Sequence, residues 1–188
     1  MAKLIIGRHA DYTKTKEATG DGPLTEEGKV DARLDAGQLA SQLASLGITA
    51  IDHAVVSGSI RGSQTFAIYW SVLLEKGIQI WEYQMDKQFF STKEEDAKWA
   101  DIAISQREKF LDAKTKNGEV AAVMEFAGEM VEDCAVRTVK ALKAAQAGGA
   151  EVMMCMTHGP HDILIASYYG HKFEKGIAKG SYRILDIA

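Results

Sequence analysis

The sequence predicts an α/β fold, with a mainly parallel central sheet, helices on both faces and a small helical cap. Three observations predict it. Short apolar runs of strand length alternate with longer segments whose apolar residues recur every three or four positions. One run, Val152-Met153-Met154-Cys155-Met156, is apolar throughout, as a central strand covered on both faces must be. No internal repeat, linker or low-complexity segment divides the 188 residues, a length that suits one domain over 1–188, with residues 87–117 as its cap segment.

Taken in order, the first strand runs through Leu4, Ile5 and Ile6; Gly7 breaks it, and Arg8, His9 and Ala10 follow at its end. A polar, Gly-bearing loop over 11–23 carries Lys14 and Lys16, open either to a substrate or to solvent. Thr25 then caps a helix whose first turn holds Glu26 and Glu27, where the dipole favours acids. Ala32, Ala36, Leu39, Leu43 and Leu46 make its buried face, and Gly47 ends it. His53 to Val56 is the second strand. It enters the small-residue loop Ser57-Gly58-Ser59-Ile60-Arg61-Gly62, with a helix from Ser63 to about Lys76. Ile78 to Trp81 is the third strand, with Glu82 and Asp86 after it.

The stretch 91–117 is charged and reads as helical, with Trp99, Ile102, Phe110 and Leu111 as its apolar residues. Glu119 to Ala147 is a long helix with an inward stripe of Val120, Met124, Ala127, Val131, Cys134, Thr138, Ala141 and Ala145. The apolar strand at 152–156 ends in Thr157-His158-Gly159-Pro160-His161. A helix over about Asp162 to Tyr169 and a last strand from Tyr182 to Ile187 complete the chain.

Composition narrows the function. A net charge of −4 offers no basic footprint for nucleic acid, yet a local pocket can still be positive enough for an anionic substrate. No apolar run reaches the ~18 residues of a membrane span, and no signal peptide is visible at the N-terminus. Cys134 and Cys155 lie in apolar segments without zinc spacing, so they read as buried free thiols of a reducing cytoplasm. No metal and no cofactor is expected, and the residues carry no sign of oligomeric state.

Three strand ends carry polar groups of one chemical kind: Arg8-His9, Arg61 and His158. Ligands of open α/β sheets bind at the carboxyl ends of strands. A helix N-terminus after a small-residue turn is itself an anion site, and Arg61 adds a planar, permanently charged fork suited to phosphate. Two histidines and two arginines at one sheet edge suggest phosphoryl transfer. A neutral imidazole attacks phosphorus, arginines neutralise its oxygens, and a carboxylic acid protonates the leaving oxygen. His53 and His171 have no such neighbours and read as structural or solvated. His161, three residues past His158, either faces the pocket or starts a helix.

Arg8-His9-Ala10, Pro23 to Gly28, Ser57 to Thr65 and Thr157-His158-Gly159 resemble the motifs of the histidine phosphatase superfamily, branch 1, the phosphoglycerate mutase-like proteins. They stand in that family's order, and Gly128 to Arg137 is similar to the family's helix before the last His strand, so the resemblance spans nearly the whole chain. It implies that His9 is the nucleophile and that Arg8, Arg61 and His158 complete a phosphate pocket. It also implies a substrate that is a phosphorylated small molecule or a phosphoprotein.

Two positions depart from the pattern: Ala10 stands where the family usually has Gly, and the acid is not at a recognisable motif. Asp86 sits about where the acid is expected, with Glu82 as the competitor. At this length a phosphatase acting on a phosphomonoester or phosphohistidine is the first expectation. The alternatives are mutase-type transfer and a degenerate member that binds phosphorylated ligands without turnover.

Overall fold

The computed structural model describes residues 1–13, 21–89, 92, 95, 97–98, 101, 105–173 and 175–188. Lys14, Lys16, Trp99, Ile102 and the side chain of Val120 lie outside the described residues. The elements are β1 (Ala2–Arg8), α1 (Glu26–Ser45), β2 (Ala50–Ser57), α2 (Ile60–Glu75), β3 (Gln79–Asp86), α3 (Arg107–Asn117), α4 (Glu119–Ala147), β4 (Val152–Thr157), α5 (His161–Tyr168) and β5 (Tyr182–Ile187). A short 3-10 turn, Lys87–Phe89, follows β3.

The five strands lie in the order β3-β2-β4-β1-β5. All neighbours are parallel except β5, which closes the sheet antiparallel to β1. The late strand β4 is threaded between the first two, so the carboxyl ends of β1, β4 and β2 stand side by side. That one feature of topology brings residues 8, 158 and 61 to a common edge.

Alternation along the strands splits the core in two. Ile5, Met154, Met156 and Val56 pack with Ala36, Leu39, Phe66 and Tyr69 of α1 and α2. Leu4, Ile6, Met153, Cys155 and Val55 pack with Val139, Leu142 and Ile165 of α4 and α5 on the other face. Each large side chain so buried contributes roughly 1.5–3 kcal/mol, so both faces of the sheet are held by packing. Residues 153–157 of β4 are buried without exception, as the unbroken apolar run requires.

Several expected boundaries move. Gly7 does not end β1: the strand continues to Arg8, and a Cβ at residue 7 would sit 2.9 Å from Met156 Cε, so glycine makes room for the neighbouring strand. Helix α2 begins at Ile60 rather than Ser63, because Ser59 Oγ accepts from Gly62 N–H and caps it three residues earlier. Strands β2 and β3 are each longer than their apolar cores, held by the ladder between Ala50–Ser57 and Gln79–Asp86. Glu82 and Asp86 therefore belong to β3 instead of following it.

Thr25 caps α1 as expected, its Oγ1 accepting from Gly28 N–H, but Leu46 is the exposed cap residue just past the end of that helix rather than part of the buried face. Helix α4 bends at Ala127, where φ is −138°. Ala127, Val131, Cys134 and Thr138 are buried; beyond Thr138 burial centres on Val139 and Leu142, leaving Ala141 and Ala145 at its margin. Helix α3 packs on α4 through an edge-to-face pair, Phe110 with Phe126, at 5.8 Å.

Both cysteines are unpaired and buried, and burial pushes the Cys134 thiol up to about 12. Among the described residues no helix is long and apolar enough to cross a membrane.

Candidate active site

His9 leaves the end of β1 with its backbone N–H still bonded to Thr157 O at 3.1 Å, so the β1–β4 ladder fixes its origin. Its Nδ1 lies 2.8 Å from the carbonyl oxygen of Ala10. A carbonyl only accepts, so Nδ1 carries the proton and the neutral ring keeps its lone pair on Nε2. The residue is 4% exposed. Burial first, then the positive charge of Arg61, with lesser contributions from Arg8 and Lys179, lowers its pKa to about 3. At neutral pH the group is therefore an uncharged imidazole among cations.

Ala10 fits where a glycine was expected. It is fully buried, no non-glycine residue among those described has positive φ, and its N–H donates to Thr65 Oγ1 at 3.0 Å. Thr65 Oγ1 in turn donates to Arg61 O, tying the His9 loop to the first turns of α2.

The end of β2 supplies Ser57, Gly58 and Ser59. Gly58 is pressed against the turn after β3; a Cβ there would lie 2.4 Å from Lys87 N, so only glycine lets the two backbones meet. Arg61 stands in the first turn of α2, buried, with its guanidinium 4.3 Å above the Tyr12 ring and NH1 3.4 Å from Asp21 Oδ1. Asp21 also accepts from Ile60 N–H at 2.9 and 3.1 Å, a carboxylate at the positive end of the helix.

His158 follows β4. Its Nε2 is 2.6 Å from Ser57 Oγ and 3.2 Å from Ser59 Oγ, and its ring centroid is 4.7 Å from that of His9. Burial, reinforced by His9 and Arg61, holds it well below the usual histidine range. Arg8 donates from NH1 to Ile177 O at 2.9 Å, and its buried Nε has no hydrogen-bond partner among the described residues. A guanidinium that keeps an N–H unsatisfied beside a neutral imidazole is an arrangement that fits an oxyanion.

The two carboxylates expected as alternatives are separated. Asp86 ends β3 and is paired in register with Ser57, one strand spacing (about 4.8 Å) from the serine that touches His158. Its carboxylate is exposed and accepts from Gln88 N–H at 3.0 Å and Gln88 Nε2 at 3.2 Å. Glu82 lies four residues back along the strand, roughly 13 Å from that edge at about 3.3 Å per residue. It pairs in register with His53, and its Oε2 lies 3.5 Å from His53 Nδ1.

Of the remaining histidines, His171 bonds Asp186 O through Nε2, away from the edge. His161 begins α5, buried, with its ring 6.0 Å from that of His158 and its pKa lowered to about 4, mainly by burial.

A model of the histidine phosphatase superfamily, branch 1, matches residues 4–187. The chain belongs to that superfamily. No curated protein matches it by sequence. Among solved structures it is similar to a mycobacterial glucosyl-3-phosphoglycerate phosphatase in complex with VO3, at 14% identity and TM-score 0.59 over 99% of this chain and 93% of that one. It is also similar to an open reading frame product of Mycobacterium tuberculosis, at 16% identity and TM-score 0.57 over 100% and 92% of the two chains. A third similar structure is the protein histidine phosphatase SixA complexed with tungstate, at 14% identity and TM-score 0.54 over 97% and 94%. At such identities the likeness is one of fold.

Within this superfamily member, several residues of the site were not singled out from the sequence. Ser57 and Ser59 were visible only as small residues of a loop, and Thr65 only as its end. Tyr12 and Asp21 sit in a loop without periodicity. Arg137 of α4 donates from Nε to Gln88 O at 2.8 Å and forks onto Glu95 at 3.0 and 2.9 Å, joining the helix to the turn after β3. Its place in the motif-like stretch Gly128 to Arg137 was the only signal for it.

Proposed function

We propose that this protein is a phosphatase that works through a covalent phosphohistidine on His9. The observation that carries the reading is the meeting of a neutral, cation-flanked His9 with His158, Arg8 and Arg61 at one sheet edge. The VO3 and tungstate complexes of fold relatives support the same class of ligand, a tetrahedral or trigonal oxyanion.

In the first step the Nε2 lone pair of His9 attacks phosphorus, a P–N bond forms, and the P–O bond to the leaving group breaks. Arg8, Arg61 and His158 hold the non-bridging oxygens and offset the charge that develops there. The leaving oxygen takes a proton from Asp86, which we place as the acid because it shares the edge that Glu82 does not reach. In the second step Asp86 takes a proton from water, the water oxygen attacks phosphorus, the P–N bond breaks, and inorganic phosphate leaves with His9 restored.

We infer that the segment 87–117, part of which lies outside the described residues, serves as a cap that chooses among phosphorylated small molecules and phosphoproteins; its described helix, α3, packs on α4. Two buried unpaired thiols support a reducing cytoplasmic setting. One observation favours a second reading. The Asp86 carboxylate is already engaged by Gln88, which suits a phosphate-binding member with weak turnover.

Quenched turnover with p-nitrophenyl phosphate, followed by mass spectrometry of the peptide holding His9, separates the two. Phosphorylated His9 with multiple turnovers supports the phosphatase. Vanadate binding without phosphorylation supports the binding protein, and interconversion of phosphoglycerates faster than their hydrolysis would indicate a mutase.

A further inference from the structure

Behind Arg8, on the far side of the Ile177 peptide, stands the carboxylate of Asp162. Asp162, in the first turn of α5, is fully buried, a costly place for a carboxylate unless it is hydrogen-bonded. Its Oδ1 accepts from Ile163 N–H at 2.9 Å and its Oδ2 from Ile177 N–H at 2.6 Å. The carbonyl of the same residue, Ile177, accepts from Arg8 NH1 at 2.9 Å.

Residues 175–178 have no helix or strand of their own to hold them, so this peptide needs a side chain to set its place. On its other side the Arg8 guanidinium lies against Gly159, where a Cβ would come 2.8 Å from Cζ. The guanidinium is thus confined by a glycine on one side and hung from a pinned carbonyl on the other, and its Nε has no partner among the described residues.

We propose that Asp162 is the positioning residue for Arg8: by fixing the Ile177 peptide it orients the guanidinium toward the phosphate. The role rests on the phosphatase reading only for its kinetic consequence; the orientation itself does not depend on turnover. An acid in the first turn of a helix has a second use, favourable interaction with the helix dipole. That role would stabilise α5 without acting on Arg8, so the test must tell the two apart.

Asp162→Asn keeps the shape but can present only one acceptor oxygen, turning an N–H of the amide toward a backbone N–H. A displaced catalytic group of about 1 Å can cost on the order of a hundredfold in rate. Kinetics on p-nitrophenyl phosphate are measured for wild type, Asp162→Asn, Arg8→Ala and the double variant. Asp162→Asn is expected to lower kcat/KM about tenfold or more when Arg8 is present, and by less than about twofold in the Arg8→Ala background. Equal losses in both backgrounds overturn the proposal, since a dipole or stability role would not depend on Arg8.

Should Asp162→Asn not fold, Gly176→Ala takes its place in the same cycle, because its new Cβ would come 3.2 Å from Asp162 Oδ2. The Arg8 Nε–Hε resonance provides a readout without substrate, assigned by its loss in Arg8→Ala. It is expected to shift and lose order in Asp162→Asn or Gly176→Ala; an unchanged resonance overturns the proposal. A wild-type protein that hydrolyses nothing would refute the phosphatase reading and leave this second readout standing.

Discussion

The two sides of the strand-end surface are built on opposite plans. On the side formed by β1, β4 and β2, three of the site residues are buried and each is held by two neighbours: His9 by Ala10 O and the β4 ladder, Arg61 by Tyr12 and Asp21, His158 by two serines; Arg8 is half-buried and hangs from Ile177 O. On the β3 side the carboxylates are exposed, on an edge strand with only Ile80 buried. The difference follows from sheet position. A central strand end is covered from both faces, so its polar groups must find partners or become ligands. An edge strand end is wet, so its carboxylates stay exposed even where Asp86 accepts from Gln88 and Glu82 lies against His53. On the function proposed above, the phosphate would be held by the bonded groups of the central strands, and discrimination among substrates would fall to the open side.

The sharpest way to break this division is to remove the proposed nucleophile. His9→Ala is expected to lower p-nitrophenyl phosphate hydrolysis by about a thousandfold or more, because no other group supplies the covalent step. Near-wild-type turnover in that variant would end the mechanism. Arg61→Lys comes next. The charge survives but the planar fork does not, so a loss of about a hundredfold in kcat is expected, with the fold unchanged by circular dichroism. Full activity with lysine would mean that Arg61 acts only as a distant charge.

The open side should respond differently. Asp86→Asn is expected to cost about a hundredfold on an alkyl phosphate, whose leaving oxygen needs a proton, and only a few fold on p-nitrophenyl phosphate. Glu82→Gln is expected to leave both substrates unchanged. A larger loss in Glu82→Gln than in Asp86→Asn would move the acid and contradict the register of β3. Equal losses on both substrates in Asp86→Asn would make Asp86 a structural group at the turn.

The same contrast explains what could be read from the chain. The buried side was legible because a covered strand writes a short apolar run and then stops; Leu4 to Ile6 and Val152 to Met156 pointed at His9 and His158 directly. Helix α4 and strand β5 were legible through period and flanking glycines. The extent of β3 was not, because Glu82, Gln84 and Asp86 share a strand with exposed Trp81, Tyr83 and Met85, and what holds them is the ladder to β2 and the packing of Tyr83 on Phe66 and Trp70, contacts that leave no local periodicity. Asp162 was hidden for another reason: an acid in the first turn of a helix looks like a dipole partner, and its bond to Ile177 spans a loop that carries no periodic signal. Gly7 misled because a glycine in a strand can be either a break or a close approach, and the deciding atom, Met156 Cε, is nearly 150 residues away.

The smallest expected effect is on stability, and it too divides the halves. His9 and His161 are pushed down to about 3 and about 4, chiefly by burial, while both would titrate near 6.5 in the unfolded chain. Above pH 6.5 neither state binds a proton at these groups and they are neutral to stability. Below it the unfolded chain takes up protons that the folded protein refuses, so stability falls with pH by up to about 1.4 kcal/mol per pH unit per group until the folded pKa is reached. Urea unfolding at pH 7.5 and pH 5.5 should therefore show a loss in the wild type that is smaller in His161→Gln, with no difference between the two proteins' pH responses above pH 7. Parallel pH responses for wild type and His161→Gln across the whole range would mean that His161 charges in the folded protein, and that the buried side is wetter than its packing implies.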